Sequence, residues 1–328
     1  MEKISLLSYT SADTPPIKML THQDTIIGME TGMLIPTHIQ LVLTNQCNLL
    51  CPFCSYGKVD RKLSLTLKEI VRILDEFKQL GSKAVTITGG GEPTLYPYFD
   101  QVLQAALDME YDTGLCTNGT LLDKVDAKGL NQMVWVRVSC SDHWSYDKYQ
   151  AAVRQTIADA PTPDWGMSYV VGSSVTFNPD NFIRCIKMAN ELGMKYARVI
   201  SDLTYLEDAT SMETAKQVLV GAGVDDSIII YQGRKNTPAG HPKCWISLIK
   251  PYIGADGGIY PCCAVQYAKK ELSFNTPKDM RMGTIDEIDE IWDAQVPFDG
   301  SKCVRCHYHQ YNTTWNQLKQ GVDHAEFI

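Results

Sequence analysis

Ile39-Gln-Leu-Val-Leu43-Thr-Asn-Gln-Cys47-Asn-Leu-Leu-Cys51-Pro-Phe-Cys54 joins a short apolar strand to a loop that carries three cysteines. Beyond this loop, helix and strand patterns alternate. Leu67, Ile70, Val71, Leu74, Phe77 and Leu80 fall at helical spacing and run to a Gly81 stop, and Ala84–Thr88 is a second strand. Helices are expected at about 98–109, 121–132, 146–157 and 180–192, with strands at about 113–117, 134–139, 167–175, 195–200 and 225–231. Strands alternating with helices imply right-handed βαβ units and a parallel sheet. The expected class is therefore α/β, a partial (β/α)6-type TIM barrel whose active site lies at the C-terminal strand ends, where the cysteine loop sits.

Outward from this core, residues 1–35 read as an N-terminal extension with paired prolines at Pro15 and Pro16. Residues 36–235 form the barrel. A Gly-, Pro- and Asn-rich stretch over 232–244 marks the boundary of a third unit, 236–328, which reads as loop-rich, short of long helices and in need of a metal. The chain has 328 residues, 44% of them hydrophobic, enough for a sizeable core. Its formal charge of −8 argues against an extended nucleic acid partner. No apolar run reaches the length of a membrane span and Met1–Thr10 lacks a secretory signal, so a cytoplasmic location and no membrane partner are expected. In a reducing compartment, clustered cysteines are metal ligands more often than disulfides. Seven of the eleven cysteines fall in two groups, Cys47, Cys51 and Cys54, then Cys262, Cys263, Cys303 and Cys306, with Cys244 a little ahead of the second.

Three thiolates on one loop can hold a [4Fe–4S] cluster while leaving one iron without a protein ligand, which a closed four-cysteine site cannot do. Zinc, the alternative, normally takes four ligands, and the nearest histidines, His22 and His38, precede the loop. The spacing Cys-x-x-x-Cys-x-x-Cys, with aromatic Phe53 before the last cysteine, resembles the signature of the radical S-adenosylmethionine (SAM) superfamily. That resemblance implies an open iron that chelates the amino and carboxylate groups of SAM. It also implies an electron donor such as flavodoxin or ferredoxin, and reductive cleavage to a 5′-deoxyadenosyl radical. Phe53 then takes the place of the aromatic near the adenine. Gly90-Gly91-Glu92-Pro93, one βα unit later, is similar to the family's motif for the SAM amino group, with Glu92 and the glycine carbonyls as acceptors. Thr117, Asn118 and Ser139, with Asp142 beyond, resemble positions that contact the SAM ribose and carboxylate. Ordinary strand-end turn chemistry is the other reading of Asn118 and Ser139.

In the third unit, Asp256-Gly257-Gly258-Ile259-Tyr260-Pro261-Cys262 reads as a hairpin that returns a cysteine toward Cys244, and Cys303-Val-Arg-Cys306 supplies a chelating pair. Four cysteines complete either a cluster or a zinc site, and ligand count alone does not choose. The pattern resembles the twitch form of the auxiliary domains that follow radical SAM barrels, the shorter relative of the SPASM domain. It implies a second, auxiliary [4Fe–4S] cluster on Cys244, Cys262, Cys303 and Cys306. Cys263 competes with Cys262 on spacing. Cys116 and Cys185 read as small core residues.

An overall oxidation must dispose of one electron and one proton after a hydrogen atom leaves, and an auxiliary cluster near the substrate is a natural acceptor. The first expectation is therefore an oxidoreductase that dehydrogenates a small sugar-, cyclitol- or nucleoside-like metabolite. Ribosomal peptide maturation is the alternative, together with epimerisation or rearrangement using Cys140 as hydrogen donor. Alternation along the strand puts Ser139 and Cys140 on opposite faces, so only one of them faces the cavity. Cys140, Asp142, Tyr169 and Arg198 are the candidate catalytic residues, with His143 and Asp202 as further polar groups at strand ends.

Overall fold

The structure is a computed structural model that describes residues 9, 18, 21–56, 59–141, 146–172, 176–204, 210–234, 237–267 and 280–321. Seven strands run in chain order, each parallel to the next: β1 (His38–Val42), β2 (Ala84–Thr88), β3 (Asp112–Thr117), β4 (Trp135–Ser141), β5 (Asp164–Val171), β6 (Tyr196–Ser201) and β7 (Ile229–Gln232). On the far side of β1 lies β8 (Tyr252–Ile253), also parallel to it, followed by the antiparallel β9 (Gly258–Tyr260) and β10 (Gly283–Thr284). The order β10-β9-β8-β1-β2-β3-β4-β5-β6-β7 is an open, mostly parallel sheet. The segment after residue 236 thus extends the barrel's own sheet.

The helices are α1 (Gln23–Thr31), α2 (Leu67–Gln79), α3 (Phe99–Asp108), α4 (Ala127–Leu130), α5 (Tyr146–Asp159), α6 (Pro179–Glu191), α7 (Met212–Gly221), α8 (Ile246–Ile249), α9 (Ile288–Ala294) and α10 (His309–Gln320). Helix α2 shows how the sequence writes them. Thr66 and Glu69 form a reciprocal capping box at its start, and Ile70, Ile73, Leu74 and Phe77 make the buried stripe. That stripe joins Ile39, Leu41, Val85, Ile87, Val136 and Val138 in the main core between sheet and helices.

Three expectations change. The stretch 121–132 is not one helix but a 3-10 turn at Leu122–Lys124 and the short α4, because the Asp126 side chain accepts from Lys128 N–H and restarts the helix. The extension before residue 36 contains α1, which ends at Gly32 with φ +80°. The third unit does contain a long helix, the twelve-residue α10. Trp315 on α10 packs with Met29, Leu34 and Trp245, so the two chain ends share one apolar cluster. The expected hairpin forms: Tyr252 pairs with Tyr260 and Ile253 with Ile259 across a turn where Gly257 takes φ +70°. Among the described residues no helix is long and apolar enough to cross a membrane.

Candidate active site

After β1 the chain folds out and returns, with Asn45 N–H donating to the Leu63 carbonyl at 2.9 Å and Leu65 N–H to the Leu43 carbonyl at 3.0 Å. Arg61 braces the loop between by donating from Nη1 to the Leu49 carbonyl at 3.0 Å. Cys47, Cys51 and Cys54 stand half-buried on this loop, and none is in a disulfide. Burial, then the charges of Cys54 and Cys47, push Cys51 up to about 11, and burial raises Cys47. Thiolates that repel one another in a half-buried loop suit a multivalent cationic centre, which relieves both penalties. Among the described residues no three His, Cys, Asp or Glu side chains are gathered closely enough to hold a single metal ion. A cubane offers each cysteine its own iron, so its ligands stand apart, and these three residues fit a [4Fe–4S] cluster.

The glycine turn after β2 lies directly on the base of this loop. Gly91 N–H donates to the Thr44 carbonyl at 3.0 Å, and Glu92 N–H to the Gln46 carbonyl at 2.7 Å. A Cβ on Gly91 would fall 1.8 Å from the Gln46 carbonyl oxygen, so only glycine permits the approach. Glu92 is 1% exposed. Its Oε1 accepts from Thr94 N–H, Thr94 Oγ1 and Thr117 Oγ1, and its Oε2 accepts from Asn118 N–H at 2.6 Å. Burial raises this carboxyl above the ordinary range, and those bonds pull it back. The carboxylate expected to meet an ammonium group is thus a strut between the β2 turn and the end of β3. Asn118 Nδ2 donates to Asn48 Oδ1 at 2.8 Å and reaches Cys47 Sγ at 3.9 Å, tying β3 to the cysteine loop. Phe53 is half-buried on the loop, and Ser139 lies on the face of β4 that also carries Trp135 and Arg137.

Inside the sheet is a cavity of about 450 Å³. Gly114 and Gly166 leave the room that the Trp135 and Tyr196 rings fill, since a Cβ on either would fall 2.2 or 2.3 Å from those rings. Arg137 on β4 and Arg198 on β6 line the cavity, joined by Arg234 and Lys250. Burial, then the charges of Arg137 and Arg234, lower Arg198 to about 10, and burial lowers Lys250 to about 8. Cys116 also lines the cavity, with Arg137 Nη2 donating to its Sγ at 2.9 Å. It is therefore not the core residue it was expected to be.

A second, smaller pocket is lined by Cys244, Cys262, Cys263, Cys303 and Cys306. Gly240 N–H to the Cys303 carbonyl, Cys306 N–H to the Pro238 carbonyl and Cys244 N–H to the Phe298 carbonyl knit the two halves of the segment around it. Burial, then the Cys306 charge, push Cys244 and Cys303 up to about 12, and burial raises Cys306 and Cys262. After burial, the thiol that acts most on Cys262 is its neighbour Cys263, followed by Cys244. The pocket's thiols fit a four-cysteine cluster made by Cys244, Cys303 and Cys306 with either Cys262 or Cys263. Cys263, His307 and Tyr308 line both the pocket and the cavity.

The expected catalytic group separates. Arg198 faces the cavity. Cys140 does not: it is 1% exposed on the outer face of β4, its Sγ 2.9 Å from Cys185 Sγ on α6. Tyr169, its partner on β5, is likewise outside, its ring 4.9 Å from that of Phe182 on α6. Asp202 is spent on a turn, accepting from Thr204 N–H and Oγ1 at 2.7 Å each. Asp142 and His143 lie outside the described residues. The sequence reading missed Arg137, Arg234, Lys250 and Gln232; a charged residue between Val136 and Val138 in a buried strand was the available signal for the first.

An open parallel β/α sheet with a three-cysteine loop at its first strand end and a glycine turn packed on that loop defines an iron–sulfur enzyme of the partial-barrel type. The profile of the Radical SAM superfamily matches residues 41–216, more than half of the chain, and the chain belongs to that superfamily. The superfamily uses a [4Fe–4S] cluster and SAM. A probable GTP 3′,8-cyclase of Pyrococcus horikoshii is 34% identical over 102 residues, 30% of this chain and 33% of that protein. The GTP 3′,8-cyclase of Aquifex aeolicus is 32% identical over 127 residues, 36% and 39% of the two chains. The chain thus spans little more than a third of the length of these curated relatives. Among solved structures, Streptococcus suis SuiB bound to S-adenosylmethionine superposes with a TM-score of 0.59 at 16% identity, over 84% of this chain and 71% of that one.

Proposed function

We propose that this chain removes a hydrogen atom from a small metabolite held in the cavity and passes the remaining electron to an auxiliary cluster on Cys244, Cys262, Cys303 and Cys306. In this reading residues 36–235 are the catalytic barrel and 236–328 the auxiliary domain. Cys47, Cys51 and Cys54 hold the first cluster. Phe53, the Gly90 and Gly91 carbonyls, Asn118 and Ser139 surround SAM, while Glu92 and Thr117 hold the turn that positions it. Bound together, the cluster and SAM supply one-electron cleavage to a 5′-deoxyadenosyl radical.

The observation that carries the reading is the wall shared by the cavity and the thiol pocket, made of Cys263, His307 and Tyr308. A substrate carbon that has lost its hydrogen atom in the cavity stands one layer of side chains from an electron acceptor. Loss of one electron across that wall and one proton to water turns a carbinol into a carbonyl, so the net change is dehydrogenation. The cavity's volume is that of a small-molecule site. SuiB, whose fold this chain shares, has been solved with a precursor peptide, yet a cavity lined by β1, β2, β3, β4 and β6 favours a small molecule over a peptide here.

The cyclase relatives favour a second reading, in which the product radical closes a ring without net oxidation. Anaerobic assay of the reconstituted protein with SAM, dithionite or reduced flavodoxin, and phosphorylated or free alcohols and nucleotides separates the two. Dehydrogenation gives 5′-deoxyadenosine and a product lighter by two hydrogens, and cyclisation gives a product of unchanged mass. Cys51→Ala is expected to abolish 5′-deoxyadenosine. Cys303→Ala with Cys306→Ala is expected to keep it while losing the oxidised product; continued oxidation by that double variant removes the auxiliary cluster from the reaction.

A further inference from the structure

Among the described residues four tryptophans are buried, and three of their indoles have a partner. Trp165 Nε1 donates to the Ala160 carbonyl at 2.8 Å, Trp245 Nε1 to Asn316 Oδ1 at 3.0 Å and Trp292 Nε1 to the Leu248 carbonyl at 3.1 Å. The fourth is Trp315 on α10, which lines the cavity and is 0% exposed; among the described residues nothing accepts from its Nε1. Gln40 on β1 poses the same problem with the opposite polarity. Its Oε1 is buried at the cavity wall with no donor among the described residues. Thr86, its register partner on β2, does not answer it, because the Thr86 hydroxyl is engaged with His38 Nε2 at 2.8 Å. A buried polar atom without a partner is unfavourable and rare, so two of them on one cavity wall call for an explanation.

We infer that Gln40 and Trp315 are specificity-determining residues that bind hydroxyl groups, so that the metabolite this enzyme takes is a polyol. The inference deepens the function proposed above and rests on it for the reaction, though not for the binding. An indole N–H only donates, and a glutamine oxygen only accepts. A phosphate or carboxylate group answers the first and not the second, and an ammonium group the second and not the first. A hydroxyl both donates and accepts, so a molecule with a hydroxyl at each place satisfies both. Gln40 belongs to the barrel sheet and Trp315 to the cysteine-rich segment, so a ligand that meets both is held between the two parts of the chain. An analogue without those hydroxyls leaves both groups unpaired, and this is how such a site rejects it.

The test is calorimetric titration of the anaerobically reconstituted enzyme, Gln40→Met and Trp315→Phe with myo-inositol and with methyl glucoside. Cyclohexanol, a six-membered ring with a single hydroxyl, is the control. At least one of the two polyols is expected to bind, and more tightly than cyclohexanol. Its affinity should fall roughly threefold to tenfold in each variant, the scale of one hydrogen bond. Urea denaturation without ligand tells binding from a structural role: Gln40→Met removes an acceptor that no donor in the protein meets, and is expected to unfold at no lower urea concentration than the parent. Gln40→Met carries the test if Trp315→Phe does not fold. Binding of neither polyol, equal binding of cyclohexanol, unfolding of Gln40→Met at lower urea, or polyol affinity unchanged in a folded variant, as water alone at these groups would give, overturns the inference. The same wild-type samples are assayed with SAM and dithionite. Polyol binding without polyol-dependent 5′-deoxyadenosine overturns the proposed reaction and leaves the subsite standing; oxidation of a simple alcohol without polyol binding spares the reaction and removes the subsite.

Discussion

Glu92 has its carboxylate withdrawn from water and given four hydrogen bonds, three of them to one oxygen. Every partner is a donor, so an acceptor-only group is what the site fits. Glu92→Gln forces an amide N–H2 against at least one of those donors. The variant is expected to lose about 1–3 kcal/mol of unfolding free energy, read by urea denaturation, and to bind SAM more weakly because the Gly90–Gly91 turn is no longer tied to β3. A variant as stable as the parent would show that the carboxylate is not a strut. The Gly-Gly-Glu-Pro tetrad is plain in the chain, and so is its place after β2. The direction of the Glu92 side chain is not, because it is set by Thr117 and Asn118, which the fold brings from the end of the next strand.

At the scale of elements, alternation along β4 separates Ser139 from Cys140, and this much the residues themselves show. Which face is inner they do not show. Arg137 and Ser139 make one face of β4 more polar than the face of Val136, Val138 and Cys140, but in a parallel strand buried on both sides that difference does not by itself say which face the helices cover. The structure supplies it: Trp135, Arg137 and Ser139 face in, and Cys140 faces α6. Cys140→Ala is therefore expected to leave the isotope pattern of a product formed in deuterium oxide unchanged while lowering stability by about 1 kcal/mol, the scale of a small core truncation. The thiols that can reach a substrate are Cys116 and Cys263, both at the cavity wall. A changed deuterium content in the Cys140→Ala product would return that residue to the chemistry. Strand and helix positions were legible because period-2 and period-3.6 patterns are local. The split at 122–130 and the helix α10 were not, since Asp126 acts as a cap and α10 is held by Trp315 packing on distant partners.

At the scale of the molecule, the pairing of β8 with β1 makes the cysteine-rich segment part of the barrel's sheet, and Ile253, Ile259, Ile288 and Trp292 of that segment join the large apolar core of the barrel strands and α2, α3, α5 and α6. Its remaining helices, α8 and α10, pack with α1 around a small cluster that includes Cys244. That cluster borders the thiol pocket, and Asn312 of α10 reaches toward the Cys244 and Cys306 sulfurs at 3.6 and 3.9 Å. The auxiliary cluster proposed above would stabilise the part around this pocket by cross-linking four points of the chain there. Stripping the iron with an oxidant and a chelator should accordingly raise hydrogen exchange in 237–267 and 280–321. The effect should spread to α1, because Gln295 donates to the Leu34 carbonyl and accepts from its N–H, and Lys319 donates to the Met29 carbonyl. Protection in β2 to β6 should change little, since no ligand lies on those strands and their core does not touch the pocket. Exchange that rises evenly across all ten strands would mean instead that barrel and cysteine segment unfold as one cooperative unit, with the metal stabilising the whole chain rather than its C-terminal third.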